Sequence, residues 1–192
     1  MAIEIIGNWS KGKAYALHTL ASTYLGVNEY GHASFDTTYS DMGELIRQLK
    51  YRNDRSVVPN IVSLIDNISG IETFDYFIPI PSSNKERAFQ PVDVIAEAIG
   101  ARRGVEVLTG FLEKKPGGPE LKNVDDPDER KILMKGAIHI NMSKDIRDKS
   151  VLLIDDLYRS GTTLEAATEI LYEKAGVRKV CVLTMTKTRS NR

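Results

Sequence analysis

The sequence predicts an α/β fold: an open, mainly parallel sheet with helices on both faces, plus a small hood or hairpin layer formed by residues 1–40. Three observations carry this expectation. From about residue 40 onward, helical and strand patterns alternate along the chain, as in a layered α/β domain. "SVLLIDD", Ser150 to Asp156, holds a continuous aliphatic run of the sort found in a parallel strand covered on both faces. The 192 residues suffice for one main domain, residues 41–192, with one sub-structure attached.

The elements follow in order. "DMGELIRQLKYRND" sets Leu45, Ile46 and Leu49 on one helical face, with Asp41 and Glu44 at the spacing of a capping box. "SVVPNIVSLIDNI" continues at the same period, with Ser56 as N-cap and Pro59 tolerable only in the first turn. "DYFIPIP" reads as a short buried strand stopped by prolines, and "PVDVIAEAIG" as a helix opened by Pro91 and closed by Gly100. "VEVLTGFLEK" is a further strand. The polar stretch "KKPGGPELKNVDDPDER" cannot supply a core face and reads as a long loop running into a short helix near "PDERKILM". "GAIHIN" and "SVLLIDD" are strands, "TLEAATEILYEKAG" is a helix stopped by Gly176, "KVCVLTM" closes the sheet, and the polar tail "TKTRSNR" frays. The stretch from Ala14 to Ser40 mixes Tyr, Thr and Gly without a sustained period. Its His18 and His32 are read as packing or surface residues and left out of the chemistry.

Composition narrows the function. Lys plus Arg equals Asp plus Glu at 26 each, so no global positive field draws in nucleic acid or an anionic membrane. Cys181, the only cysteine, lies in an apolar run; it is read as a buried, inert thiol that forms no internal disulfide and no cysteine zinc site. No stretch approaches the apolar length of a membrane span and the start lacks a signal-peptide pattern, so a cytoplasmic protein is expected.

The chemistry gathers at "VLLIDDLYRSGTTL", Val151 to Leu164. Ligands of open parallel sheets bind beyond the carboxyl ends of the strands, where Asp155 and Asp156 fall. Two adjacent carboxylates can accept hydrogen bonds from vicinal hydroxyls or hold the waters of a hard cation. The following "RSGTT" offers successive backbone N–H groups, three hydroxyls and a glycine leading into a helix N-terminus, which makes an anion cradle. Together these halves describe a ribose 5-phosphate; neither "GxGxxG" nor "GxxxxGK[ST]" occurs. An ordinary strand-to-helix connection with an N-cap is the plainer alternative for the same residues.

These residues resemble the phosphoribosyl pyrophosphate (PRPP) signature of type I phosphoribosyltransferases. "LKYRND" (49–54), "IPIPSSNKERAFQ" (78–90) and "DERKILMKGAI" (128–138) resemble the ComF-like branch, associated with competence. The resemblance spans residues from about 40 to 186 and implies the type I phosphoribosyltransferase fold and a PRPP pocket. It implies that Asp155 and Asp156 bind the ribose 2- and 3-hydroxyls and support a Mg²⁺ held mainly by PRPP and water. Arg159, Ser160, Gly161, Thr162 and Thr163 would bind PRPP, the last four wrapping its 5-phosphate. Ser82, Ser83, Asn84 and Lys85 would take the leaving diphosphate. The loop after Lys114 would be a catalytic lid, with Lys114, Lys115, Lys122, Arg130 and Lys131 as candidate cations. Of the cations, Lys85, Lys114 and Lys115 are the candidate catalytic residues.

The implied reaction is displacement of diphosphate from C1 of PRPP by a nitrogen nucleophile, catalysed by alignment, charge neutralisation and exclusion of water. The acceptor is an unidentified nitrogenous compound. Homodimers are common in such a family. Two departures stand out. An acid occupies the position of Arg159 in purine-specific relatives, and a permanently charged arginine cannot accept a proton. The N-terminal cysteine zinc module often carried by ComF-like proteins is missing. Arg87 and Phe89 could contact diphosphate or base, or serve as a helix-leading arginine and a packed ring. A PRPP-binding sensor or scaffold without turnover, linked to DNA uptake or processing, is the alternative reading.

Overall fold

The computed structural model describes residues 2–82, 87–114, 136–141 and 143–189. The first strands are β1 (Ile3–Glu4), β2 (Lys11–Leu17), β3 (Thr19–Val27) and β4 (Ala33–Tyr39), followed by helix α1 (Asp41–Tyr51). A 3-10 turn, Arg55–Val57, leads into α2 (Val58–Ile65); then come β5 (Tyr76–Pro79), α3 (Pro91–Arg103), β6 (Glu106–Val107), β7 (Leu112–Lys114) and β8 (Ile138–Ile140). The chain continues with β9 (Ser150–Tyr158), α4 (Thr162–Ala175) and β10 (Lys179–Lys187).

Six described strands form one sheet in the order β1-β2-β10-β9-β5-β6, every neighbouring pair parallel except β1 with β2. This is the expected open, mainly parallel α/β sheet. Helices cover both faces. Ile46, Leu49, Ile61, Ile65, Ile95 and Ile99 of α1, α2 and α3 pack with Leu152, Ile154 and Leu183 on one side. Leu164, Ala167, Ile170 and Leu171 of α4 pack with Val151, Leu153 and Val182 on the other. No described helix is long and apolar enough to cross a membrane.

The first forty residues divide. β1 and β2 join the main sheet, β2 running parallel to β10 with Leu17 opposite Lys187. Trp9 packs edge-on against Tyr158 at 6.4 Å, and Asn8 Nδ2 donates to the Glu165 carbonyl at 2.9 Å, so this segment braces the loop that follows β9. β3 and β4 form a separate antiparallel ribbon.

Several local expectations are corrected. The cap of α1 is Ser40, whose hydroxyl accepts from the Gly43 N–H at 3.0 Å, while Glu44 turns to Arg47 and Gln48. Asp54, not Ser56, caps the next turn, accepting from both the backbone and the hydroxyl of Ser56. α3 runs through Gly100 and stops at Gly104. Gly100 is there for closeness, since a Cβ would collide with Val107 and the Val105 carbonyl. "VEVLTGFLEK" is broken by a turn at Gly110 into β6 and β7, and β7 leaves the main sheet to pair with β8.

Candidate active site

The aliphatic half of β9 is fully enclosed because it is paired on both edges and covered on both faces. That burial carries the strand's C-terminal end, with Asp155 and Asp156, to the edge where the parallel strands finish. Successive strand residues point to opposite sides, so the two carboxylates meet different partners. Asp156 is 6% exposed, and its Oδ2 accepts from Lys50 Nζ at 2.6 Å across 106 positions of sequence. Asp155 Oδ1 accepts from the Asp156 backbone N–H at 2.8 Å.

Burial, and next the negative charge of Asp156, push the Asp155 carboxyl up to about 7 against the pull of that hydrogen bond, Lys50 and Lys114. Lys114, at the end of β7, is pushed down by burial while Asp155 draws it up. Beside Asp155 in the ladder stands Thr184 of β10, whose buried hydroxyl has no hydrogen-bond partner among the described residues.

A cleft of about 250 Å³ opens at this edge, lined by Lys50, Ser82, Arg87, Lys114, Asp155, Asp156 and Thr163 over an apolar floor of Ile80, Pro81, Pro91 and Val92. Three cations thus face two carboxylates, an arrangement suited to a polyanion that also carries hydroxyls.

Of the residues expected at a site, Ser82, Lys114, Asp155, Asp156 and Thr163 come together here. Ser160 and Gly161 form the loop leading into α4, which Thr162 opens, with the Ser160 and Thr162 hydroxyls 2.9 Å apart. Gly161 has φ +81°, and a Cβ there would press on the Tyr158 ring at 2.9–3.3 Å, so glycine alone fits the turn. Arg159 is exposed and does not line the cleft. Ser83, Asn84, Lys85, Lys115, Lys122, Arg130 and Lys131 lie outside the described residues.

Lys50 was given no role by the sequence, although it lies within "LKYRND". A lysine in a last helical turn has an ordinary explanation in the helix dipole, and only the fold shows that it meets Asp156. His18, expected as a packing or surface residue, stands beside the same pair: its electrostatic partners are Asp156 and Lys50, and burial lowers its pKa. His32 is exposed on the ribbon.

The profile of the phosphoribosyl transferase domain matches residues 86–191, over half of the chain. The chain belongs to that family. Among solved structures, this phosphoribosyltransferase-family chain is similar to the adenine phosphoribosyltransferase of Thermoanaerobacter pseudethanolicus. That likeness has TM-score 0.47 and 16% identity, covering 79% of this chain and 77% of the other. It is also similar to the adenine phosphoribosyltransferase of Saccharomyces cerevisiae (TM-score 0.47, 12% identity, 88% and 85% covered). A third likeness is to a hypoxanthine phosphoribosyltransferase of Staphylococcus aureus (TM-score 0.41, 16% identity), with 78% of this chain covered and only 66% of that one spanned. No protein with a curated description matches the sequence.

Proposed function

We propose that the protein is a type I phosphoribosyltransferase of the ComF-like branch that binds PRPP and transfers its phosphoribosyl group to a small nitrogenous acceptor, releasing diphosphate. The observation that carries this reading is the pair Asp155 and Asp156. They sit at the finishing edge of a buried parallel strand, in a cleft with three cations and next to a glycine turn that opens a helix. Membership of the phosphoribosyl transferase domain family supports it.

In this reading Asp155 and Asp156 accept the ribose hydroxyls. The backbone from Ser160 to Thr163 holds the 5-phosphate at the start of α4, where orphan N–H groups and the helix dipole favour an anion. Ser82, with Ser83, Asn84 and Lys85, receives the diphosphate. Lys114, and with it Arg87, neutralises charge as the C1–O bond breaks and the C1–N bond forms. Lys85 and Lys115 are proposed for the same task, and a symmetric homodimer is the proposed assembly.

Among the described residues no three His, Cys, Asp or Glu side chains converge on a metal-sized site. Two carboxylates, however, suit a cation that keeps its waters and substrate oxygens, as Mg²⁺ does. Asp155 and Asp156 would hold it through water and PRPP, and it would supply charge neutralisation at the departing diphosphate. Calorimetry with PRPP and Mg²⁺ tests the reading: micromolar binding is expected, lost in the Asp155→Asn/Asp156→Asn double variant. Diphosphate release with a panel of nucleobases and amines then separates an enzyme from a sensor.

A further inference from the structure

We infer that His18 is an acceptor-binding residue, whose Nε2 lone pair takes a hydrogen bond from an N–H of the nitrogenous acceptor beside the Asp156–Lys50 pair; this rests on the phosphoribosyl-transfer reading above.

The tautomer follows from hydrogen-bond accounting. Thr186 Oγ1 lies 2.9 Å from the Asp156 carbonyl oxygen, which can only accept, so the threonine proton goes there. The same hydroxyl is 3.1 Å from His18 Nδ1. Having no second proton, it must accept, and Nδ1 must be the nitrogen that carries hydrogen. In the neutral ring Nε2 is then the acceptor, and among the described residues it has no partner. Burial and Lys50 both lower the pKa of this histidine against the opposing pull of Asp156, which favours the neutral ring.

The ring is also held in place. It packs edge-to-face on Tyr39 at 5.6 Å and 85°. The backbone N–H of His18 donates to the Lys187 carbonyl at 2.8 Å, and its own carbonyl accepts from the Ser40 N–H at 3.3 Å. Gly43 lies over that carbonyl so tightly that any Cβ would collide with it. Since β2 runs parallel to β10, His18 emerges at the same sheet edge as the carboxylates. Arg159 cannot serve as the acceptor of an N–H, whereas His18 can.

The test uses the full chain. Nitrogen NMR of the imidazoles should show His18 neutral and protonated on Nδ1 at pH 7.5; protonation on Nε2 would overturn the inference whatever the protein binds. Adenine, hypoxanthine and uracil are then titrated with PRPP and Mg²⁺ present. At least one should move the His18 Nε2 resonance and leave His32 unmoved, and no response from any of the three counts against the assignment. His18→Phe should keep PRPP affinity within about twofold while weakening the responding base at least about tenfold, the cost of one lost polar contact. His18→Gln, which can still accept, should recover part of that loss. Unchanged base affinity in both variants sinks the proposal. Failure of the wild-type protein to bind PRPP would instead strike the phosphoribosyl-transfer reading, and the tautomer result would still stand.

Discussion

β9 and β3 are both nine-residue strands, and almost nothing else about them is alike. β9, "SVLLIDDLY", is paired on both edges and covered on both faces, and Val151 to Ile154 are all but inaccessible. Among the described residues β3, "TLASTYLGV", pairs only with β4; Leu20, Tyr24 and Leu25 are more than half exposed, as is Phe35 across from Tyr24. Two-stranded ribbons draw little stability from burial and depend on their own cross-strand pairs. The difference separates two jobs at one sheet edge. The buried strand fixes carboxylates in space, while the ribbon, which starts one residue after His18, can vary without disturbing them.

The largest expected effect is in the strand. Ile154→Ala removes a fully buried side chain next to Asp155 and should cost about 2–5 kcal/mol in urea unfolding. Tyr24→Ala, at 57% exposure, should cost less than about 1 kcal/mol. Equal losses would mean that the ribbon is packed on the body in solution and that the contrast is false.

Much of this contrast was legible in the sequence, and the reason is local. An aliphatic run ending in two acids and a glycine turn has few other ways to be buried, so β9, the edge position of Asp155 and Asp156, and α4 could all be read directly. The partners of the acids could not. Lys50 reaches Asp156 from a helix 106 residues earlier, and no periodicity links the two. His18 reads in sequence as a packing or surface histidine, because its hydrogen-bond partner, Thr186, lies on another strand. The caps failed for a different reason. Ser40 and Asp54 each stand one or two residues before the expected capping residue, where several capping residues sit close together in sequence. β2 falls within residues 1–40, expected as a hood or hairpin layer, because its place in the sheet is set by pairing with β10 and not by its own sequence.

The next effect sharpens the claim that long-range partners hold the carboxylates. Lys50→Met leaves the nearly buried Asp156 carboxylate without its cation and should cost about 2 kcal/mol, more than an exposed ion pair such as Arg102–Asp66 would. Adding Asp156→Asn to Lys50→Met should return part of the loss, because the stranded charge is gone. Additive losses in the double variant would show that the two groups do not interact.

Asp155 gives a smaller effect with a definite sign. Its folded-state pKa of about 7 lies above the ordinary carboxylate value, so between about pH 4 and 7 the folded chain binds more protons than the unfolded one. This group therefore lowers stability as pH rises through that window. Asp155→Asn abolishes the dependence and should be more stable than wild type by about 1–2 kcal/mol at pH 8, with the gap closing below pH 4. A gap that stayed constant with pH would show that Asp155 titrates alike in the folded and unfolded chain.

The smallest effect belongs to the ribbon. Tyr24 and Phe35 face each other across β3 and β4 with ring centroids 5.5 Å apart, and the Ser22 and Thr37 hydroxyls meet two pairs along at 3.2 Å. A double-mutant cycle on Tyr24→Ala and Phe35→Ala should give a coupling of about 0.5 kcal/mol, typical of an exposed aromatic cross-strand pair. The cycle is best read twice, by global unfolding and by hydrogen exchange at the ribbon amides. If the ribbon opens independently of the sheet, the coupling appears in exchange and vanishes in global unfolding. The same coupling in both would tie the ribbon to the cooperative core, and through Thr19 and Tyr39 to His18. His18 would then be held as rigidly as the carboxylates.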